Sequence, residues 1–287
     1  MMRLLKLFFL VFMVGFVFWS SNAFSVTLYN DPTWHEMRDE TRWWSLDELH
    51  QKADGGDLKG KYILGITYLN GSNYRDVKED GEKAYSVFKS LWQEGVADAG
   101  YSLFSMYYEG FGVRKNYKAA LRYLKESAEM GYILSQRTLA DAYSDYKYGE
   151  IVDADYDKSI YWYKLAAEQG DQISALALSE MYYIGKGVEQ SDKKAFDWLL
   201  RSSKLKYADS SASFVSLAKF YEKGIGTDID LVQAYKYYDL QGSAGAEGKQ
   251  RLSKQMTKEQ IEEARRQSLE WQKEHNVRIG GGFFQMN

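Results

Sequence analysis

Five times along this 287-residue chain, a leucine precedes a tyrosine by four residues, at a nearly constant period. The pairs are Leu64/Tyr68, Leu103/Tyr107, Leu139/Tyr143, Leu178/Tyr182 and Leu217/Tyr221. Their tyrosines lie 39, 36, 39 and 39 residues apart. A period of about 20–50 residues indicates a stacked array, in which each repeat packs against its neighbours. The chain is therefore predicted to form an extended repeat structure of the kind that usually binds other proteins.

Each copy is predicted to form two helices joined by a glycine-containing turn. In the second copy these are residues 98–109, the turn 110–113 and residues 116–130. The first helix carries a small residue, the leucine and the tyrosine at positions i, i+4 and i+8, which share one face. The small residues are Gly60, Ala99, Ser135, Ser174 and Ser213. We expect them to admit a neighbouring helix, while the leucine and tyrosine fill the space between repeats.

The second helix of each copy has its own pattern, an alanine or serine followed four residues later by a larger apolar side chain. The pairs are Ala84/Phe88, Ala119/Tyr123, Ser159/Tyr163, Ala195/Leu199 and Ala234/Tyr238. In four of the five copies a glycine follows seven residues after the second member, or eight in the second copy, at Gly95, Gly131, Gly170 and Gly245. The fourth copy has Tyr207 instead. Glycine at this point is expected to end the helix in a left-handed conformation.

These motifs resemble those of the Sel1-like repeat family, which is related to the tetratricopeptide repeat. The matching segments are Leu103–Gly110, Leu178–Gly185 and Leu217–Gly224 for LxxxYxxG, Gly110–Val113 and Gly185–Val188 for GxGV, and Lys158–Gly170 for the tail of the repeat. The resemblance covers about residues 57–247. It implies an all-α fold, a right-handed α-solenoid of about five helix-turn-helix repeats with flanking capping helices.

Copies one and three lack the GxGV turn and have longer connections, around residues 70–73 and 146–149. Insertions of this kind map to one edge of a repeat stack, so we expect features particular to this chain there.

Segments of different character flank the repeats. Residues 24–56 are predicted to form an extended arm that packs on the first helices, followed by a lead-in helix that begins at a capping box, Ser45 to Glu48. Residues 248–276 are predicted to form C-terminal capping helices, with a second capping box at Thr257 to Gln260. Residues 277–287 contain three consecutive glycines and are predicted to be a flexible tail.

The first 23 residues have the pattern of a secretory signal peptide. Arg3 and Lys6 precede an apolar run from Leu7 to Trp19, and Ser21-Asn22-Ala23 supplies small residues for cleavage. The alternative is an uncleaved anchor, but thirteen helical residues reach only about 20 Å, short of a hydrocarbon core of about 30 Å. We therefore expect a periplasmic or otherwise extracytoplasmic protein that has no membrane attachment after cleavage.

Composition argues against several function classes. The formal net charge is −3 and both signs are interspersed, which disfavours nucleic acid as a partner. There is no cysteine, and the three histidines, His35, His50 and His275, have no metal-ligand spacing. The Gly-x-Gly turns lie inside helical hairpins rather than after strands, so they do not indicate phosphate binding. We predict no cofactor, no metal and no enzymatic activity. A cell-envelope enzyme or accessory factor acting on peptidoglycan remains the alternative.

The predicted partner-binding residues come from two patterns. We call the space between repeats the seam, and the tyrosine of each Leu/Tyr pair the seam tyrosine. Where two tyrosines are adjacent, one ring fills the seam and the other points away from it. The residues two before and two after each seam tyrosine face the side that first helices line in such solenoids. The candidates are Ser105, Tyr108, Glu109, Asp141, Asp145, Glu180, Tyr183, Lys219 and Lys223. Their charge changes from acidic in the middle repeats to basic in the last. A solvated face and ordinary packing of the rings are the alternatives.

Together these features predict an exported scaffold or adaptor that binds another protein through its concave face and its repeat loops. The resemblance to exported Sel1-like proteins implies a narrower role, an immunity protein that neutralises a type VI secretion phospholipase effector.

Cleavage of the leader can be checked directly. We expect mass spectrometry of the exported protein to find a mature chain that begins at Phe24, because the small residues before it fit a signal peptidase. Detection of the intact amino terminus at Met1 in that fraction would contradict cleavage and favour an anchor.

Overall fold

A computed structural model describes residues 25–205, 211–275, 277–279 and 283–285, so the predicted leader lies outside the described residues. The predicted α-solenoid of five repeats is confirmed. The repeats are the hairpins α3 Leu58–Asn70 with α4 Gly81–Gln93, α5 Ala97–Glu109 with α6 Tyr117–Glu129, α7 Ile133–Tyr143 with α8 Tyr156–Glu168, α9 Gln172–Ile184 with α10 Asp192–Ser202, and α11 Ser211–Lys223 with α12 Leu231–Asp239.

Helices at both ends flank this array. They are α1 His35–Thr41 and α2 Leu46–Asp54 before it, and a 3₁₀ turn Gly242–Gly245, α13 Ala246–Leu252 and α14 Lys258–Glu274 after it. Both predicted capping boxes are present. The Ser45 hydroxyl accepts from the backbone N–H of Glu48, and the Thr257 hydroxyl accepts from that of Gln260. In each box the side chain of the third helical residue also accepts from the backbone N–H of the cap.

The predicted seam between repeats is the buried core of the array. All five small residues and all five leucines of the i, i+4 pattern are buried. Three of the seam tyrosines are buried and the other two, Tyr107 and Tyr221, are half-buried. The Tyr107 ring stacks on Tyr123 with ring centroids 5.5 Å apart, and Tyr221 stacks on Tyr237 at 5.9 Å. Ring stacking between the two helices of a repeat therefore replaces full burial at these two positions.

The second helices begin with a shared device, a polar side chain that caps the helix. The capping residues are Asp80, Asn116, Asp155, Ser191 and Asp230. In α4, α8, α10 and α12 the predicted small residue lies four positions after the cap and is fully buried. In α6 that position is Ala120, and Leu124 follows it, both fully buried, whereas Ala119 is half-buried. The predicted pair Ala119/Tyr123 is thus one residue before the equivalent pair in the structure, Ala120/Leu124. The prediction chose the wrong one of two adjacent alanines.

The structure corrects one of the predicted helix-ending glycines. Gly95, Gly131 and Gly170 do have positive φ angles, as expected. Gly245 does not, since α12 ends at Asp239 and the left-handed residue is Gly242, at φ 61°. Gly245 is required for another reason, because a Cβ there would lie 1.8 Å from the carbonyl oxygen of Tyr238.

Two of the Gly-x-Gly turns make a backbone contact with the preceding repeat. A Cβ on Gly112 would lie 2.1 Å from the carbonyl oxygen of Gly81, at the start of α4. A Cβ on Gly226 would lie 2.0 Å from the carbonyl oxygen of Asp192, at the start of α10. Only glycine permits this approach, so the second glycine of the turn joins adjacent repeats.

The C-terminal segment predicted to be a flexible tail contains a short hairpin. Strands β1 Val277–Ile279 and β2 Phe283–Gln285 pair antiparallel, with Arg278 opposite Phe284. The backbone N–H of Ile279 donates to Oε1 of Gln272 in α14, at 2.9 Å. Six residues of the predicted tail therefore form a hairpin that contacts α14.

The seam is tested by truncating one of its leucines. Leu178, in the fourth repeat, is 0% exposed, so Leu178→Ala should lower the free energy of unfolding by about 2–5 kcal/mol, measured by urea denaturation. Ile173→Ala is the matched control, because Ile173 lies on the same helix but is 55% exposed. Equal effects of the two substitutions would contradict the proposed burial of the seam.

Candidate functional site

The candidate site lies on one surface of the array, which we call the first-helix face. It belongs to the first helices of the repeats, α3, α5, α7, α9 and α11. On each of them it consists of the residues near the seam tyrosine that point away from the second helices. Other parts of the chain cover much of this face at the first two repeats, and clefts lie beside α9 among the described residues.

Helix α1 covers the first-helix face of the first repeat. Met37 and Thr41 of α1 are buried. They line a shared cleft with four residues of α3: Ile63, Ile66, Thr67 and Asn70. From the loop after α3, Arg75 donates hydrogen bonds to the carbonyl oxygens of Thr41 and Trp44, both at 2.9 Å. These bonds satisfy carbonyl groups at and beyond the end of α1 and hold the helix in place.

The arm before α1 is held by a buried carboxylate. The backbone N–H groups of Leu28 and Tyr29 donate to the two oxygens of Asp98, at 2.9 and 3.1 Å. Val26 pairs with Val96 in a parallel bridge just before α5. The arm thus packs on α3 and α5, as expected, although α1 within it was not predicted. Because Asp98 is 0% exposed, burial raises the pKa of its carboxyl to about 6, against the opposing effect of these hydrogen bonds.

The loop after α7 folds back over the second repeat. The ring of Tyr148 lies 4.9 Å from that of Tyr108 and 5.4 Å from that of Phe104, measured between centroids. The Tyr108 hydroxyl donates to the carboxylate of Glu150 in the same loop. Both longer connections singled out in the sequence therefore make contacts within the chain, one with α1 and the other with α5.

Between α7 and α9 the first-helix face opens into a cleft of about 340 Å³. Its lining is Asp141, Ser144, Tyr146, Tyr163, Ile173, Leu176, Ala177, Glu180, Met181, Ile184 and Lys186. Ile173 and Ile184 are more than half exposed, so the cleft presents apolar surface to solvent. Asp141 accepts a hydrogen bond from the Tyr163 hydroxyl at 2.6 Å, and partial burial raises the pKa of its carboxyl.

A second cleft, of about 430 Å³, lies between α9 and α11. Its lining is Leu176, Ser179, Glu180, Tyr183, Leu199, Ser216, Lys219, Phe220, Lys223 and Ile225. Glu180, Lys219 and Lys223 are exposed, and the Tyr183 ring packs 5.4 Å from that of Phe220. Leu176 and Glu180 belong to both linings, so the two openings adjoin across α9. We call them together the α9 clefts.

A buried ion pair orients α9 against α7. Asp171, 2% exposed in its side chain, accepts from Arg137 of α7 at 2.8 Å. The same carboxylate caps α9 by accepting from the backbone N–H and the hydroxyl of Ser174, at 2.9 and 2.6 Å. On the opposite side, Ser179 donates to the carbonyl oxygen of Ala195 in α10 at 2.8 Å. The helix that separates the α9 clefts is therefore held by polar contacts with both neighbouring helices.

The nine predicted partner-binding residues fall into three groups. Glu180, Tyr183, Lys219 and Lys223 line the α9–α11 cleft, and Asp141 lines the α7–α9 cleft with Glu180. Ser105, Tyr108 and Glu109 lie on α5, away from both clefts; Asp145 follows α7 with left-handed backbone, at φ 59°. The structure therefore brings five of the nine together around α9.

Sequence reasoning missed the apolar part of this surface. Ile184 occupies the position two after its seam tyrosine, where the second, third and fifth copies have Glu109, Asp145 and Lys223. The apolar exception was the available signal. The sequence gives no comparable signal for the burial of Asp98, because the residues of the arm that cover it lie about seventy positions earlier in the chain.

Within the described residues, no group of three histidine, cysteine, aspartate or glutamate side chains could hold a metal ion. Among these same residues, no helix combines the length and the apolar character needed to cross a membrane.

The chain was compared with known families and proteins. The model of the Sel1 repeat matches residues 59–86, 97–132, 139–171, 173–207 and 215–240, together more than half of the chain. Two relatives are from Saccharomyces cerevisiae. The chitin synthase regulator SKT5 is 31% identical over 183 residues, which are 62% of this chain and 25% of that protein. The activator of C kinase protein 1 is 37% identical over 93 residues, 31% of this chain and 15% of that protein.

Among solved structures, a Sel1 repeat protein from Oxalobacter formigenes has a TM-score of 0.62 at 25% identity. The similarity covers 74% of this chain and 59% of that one. This chain thus spans about a quarter or less of the two yeast relatives and somewhat more than half of the solved one.

The buried carboxylate that holds the arm should make stability depend on pH. The pKa of Asp98 is higher in the folded chain than in the unfolded one, about 6 against about 3.9, so folding takes up a proton between these values. Its contribution is fully present below pH 4 and is lost as pH rises through 6. The measurement is urea denaturation of the wild type and of Asp98→Asn at both pH values. The unfolding free energy of the wild type, relative to that of the variant, should be about 2–3 kcal/mol higher at pH 4 than at pH 7.

Carboxylates with a lowered pKa, such as Asp31 with its hydrogen bonds, change stability with pH in the opposite direction to Asp98. They are present in both proteins, so the comparison with Asp98→Asn removes their contribution to the unfolding free energy. A wild type minus variant difference that is the same at both pH values would contradict the assigned burial.

Proposed function

Because this chain belongs to the Sel1 repeat family, we propose that it is a non-enzymatic scaffold that binds a partner protein through the first-helix face beside α9. The yeast relatives named as a regulator and an activator support a role exerted on other proteins.

One observation carries the proposal, the convergence of predicted residues on the α9–α11 cleft. Glu180 and Tyr183 come from α9, while Lys219 and Lys223 come from α11. Tyr183 is 41% exposed and combines a large ring with a hydroxyl, the combination enriched where interfaces concentrate their binding energy. Apolar and charged groups therefore meet on a surface that the chain leaves uncovered.

Charge on this surface is ordered. Asp141 and Glu180 place two negative groups at the α7–α9 cleft, which Lys186 also lines, and Lys219 and Lys223 place positive groups on the α11 side. A surface with separated signs orients an approaching partner and disfavours the reversed complex, in which like charges would meet. This arrangement supports binding in a single orientation.

We also propose that the protein acts outside the cytoplasm, in the periplasm. The support is the amino-terminal sequence alone: two basic residues, an apolar run and small residues before Phe24. Within this compartment, the narrower proposal is an immunity protein whose partner is a secreted phospholipase effector. It is supported by the resemblance to exported Sel1-like proteins with that role.

The non-enzymatic part of the proposal has its own test. The alternative is action on peptidoglycan, so the purified protein should be incubated with isolated cell wall. We expect no soluble muropeptides above the level of a buffer control, and their release would overturn this part of the proposal.

Charge reversal tests the binding surface. The double variant Glu180→Lys with Lys219→Glu should weaken capture of the protein's periplasmic partner by tenfold or more. Each reversed charge would then face a group of like charge on the partner. The measurement is quantitative affinity purification, followed by titration of the captured protein. The matched control, Glu262→Lys with Lys258→Glu on α14, exchanges exposed charges outside the clefts and should change binding less than about twofold.

Equal capture by both double variants, or no reproducible partner for the wild type, would refute binding through this face.

A further inference from the structure

The cleft that α1 and α3 share has a lining unlike that of the α9 clefts. We call this opening, of about 280 Å³, the α1–α3 cleft. Its charged lining residues are Arg38, Arg42 and Arg75, and its described lining contains no aspartate or glutamate. Its apolar lining residues are Trp34, Met37, Ile63 and Ile66. In a chain of formal net charge −3, this cleft therefore presents positive charge alone beside apolar side chains.

Nearby carboxylates leave these three arginines without an acidic partner. Glu40 of α1 pairs with Lys59 of α3, at 2.9 Å. Asp31, before α1, is buried and accepts hydrogen bonds from two backbone N–H groups, each at 2.8 Å. Asp39 and Asp76, which are chain neighbours of two of the arginines, do not line the cleft. Among the described residues, no ion pair involves any of the three arginines, so their charges remain available to an anion from outside.

The three guanidinium groups differ in depth. Arg75 is half-buried, and its Nε and Nη2 donate to the carbonyl oxygens of Trp44 and Thr41, both at 2.9 Å. Burial lowers the pKa of this guanidinium, and no carboxylate offsets the effect. Arg38 and Arg42 lie four residues apart, in α1 and at its C-cap, and both are exposed. Guanidinium groups bind carboxylates and phosphates through paired hydrogen bonds, so these are the anions that the cleft suits.

Exposed aromatic rings lie beside the cleft. Trp43 is 68% exposed and Tyr74 is 64% exposed. The Tyr74 hydroxyl oxygen lies 3.5 Å from the carbonyl oxygen of Trp43, so the two residues are adjacent. The Arg42 guanidinium lies 4.6 Å from the centroid of the Trp43 ring, and that of Arg75 lies 5.7 Å from the Tyr74 ring. Tryptophan, tyrosine and arginine are enriched where protein interfaces concentrate their binding energy, which favours a protein as the ligand over an isolated anion.

The size of the cleft limits what can enter it. Pockets that enclose a small organic molecule have volumes of about 300–1,000 Å³, and this cleft falls below that range. Met37 and Ile63 are buried, whereas Trp34 and Ile66 are half-buried and leave apolar surface in contact with solvent. An apolar side chain that enters the cleft would cover this surface, while the rest of the ligand stays outside, near the arginines and the exposed rings.

We propose that the α1–α3 cleft binds an acidic peptide segment of a protein. An apolar side chain of this segment enters the cleft, and aspartates or glutamates on either side of it pair with Arg38, Arg42 and Arg75. The site is separate from the α9 clefts and goes beyond the function proposed for them, because it gives the array a second binding surface with a ligand of defined charge.

The test uses a synthetic, end-blocked peptide of about ten residues, in which two central leucines are flanked on both sides by aspartates. Its binding to the full mature chain is measured by fluorescence anisotropy. We expect this peptide to bind. A peptide with asparagines in place of the aspartates, and one with serines in place of the leucines, should each bind at least about tenfold more weakly.

Two double variants locate the binding site. Arg38→Gln with Arg42→Gln should weaken binding of the acidic peptide at least about tenfold. The matched control, Lys118→Gln with Arg122→Gln on α6, removes two exposed charges of the same spacing and should change binding less than about twofold. The cleft beside the control pair is also lined by Glu126 and Glu129, so its positive charge is balanced. Comparison of far-UV circular dichroism spectra establishes that both variants fold.

A membrane surface is the competing ligand, because anionic lipids also attract arginine and aromatic side chains. Phosphatidylglycerol vesicles, compared with phosphatidylcholine vesicles, distinguish the two. We expect neither kind of vesicle to displace the acidic peptide. Binding to phosphatidylglycerol vesicles without binding of the peptide would assign the cleft to a membrane and overturn the inference.

The inference is also overturned if the acidic peptide does not bind, if the asparagine peptide binds equally well, or if the two double variants have equal effects. These outcomes are distinct from failure of the proposed function. The variant Glu180→Lys with Lys219→Glu, which tests the α9 clefts, should bind the acidic peptide as the wild type does, and loss of peptide binding in that variant would contradict a separate site.

Discussion

The close approach of successive helices at one small residue per repeat is the constraint on which the rest of the structure depends. Gly60, Ala99, Ser135, Ser174 and Ser213 are all buried at the start of the first helices. A larger side chain at these points would separate the hairpins, and the leucines and tyrosines that follow would no longer fill the seam. The spacing that they permit also sets the distance between α7, α9 and α11, and therefore the width of the clefts beside α9.

Much of the first-helix face serves the protein itself. The arm and α1 cover the first repeat, and the loop containing Tyr148 covers part of the second. Covering apolar residues in this way protects the N-terminal end of the array, where no preceding repeat supplies a partner. Among the described residues, no arm or loop covers the clefts beside α9, which combine exposed isoleucines with charges of both signs. The exposed isoleucines and the charges beside α9 thus lie in the C-terminal half of the array.

Local and periodic features could be predicted from the sequence, and long-range contacts could not. The seam positions follow from two regular spacings, four residues within a helix and about 39 between copies. Capping boxes at Ser45 and Thr257 are local and were also found. The register of α6 was ambiguous because Ala119 and Ala120 fit the same pattern. The docking of the arm on Asp98 joins residues about seventy positions apart, and nothing in the local sequence indicates it.

The glycine turns make the junctions of the array unequal. Gly112 meets the backbone of the first repeat, Gly187 meets the Tyr156 side chain of the third, and Gly226 meets the backbone of the fourth. Each of these contacts joins a repeat to the one before it. The third repeat lacks such a turn, so the junction between repeats two and three relies on the side chains of its long loop instead. Leu139, Tyr143 and Ile151 of the third repeat belong to the same buried cluster as the first two repeats. Cooperative unfolding of a repeat array depends on contacts of this kind between neighbouring units, so side-chain packing in place of a glycine turn couples the N-terminal repeats to the part of the array that carries the open clefts.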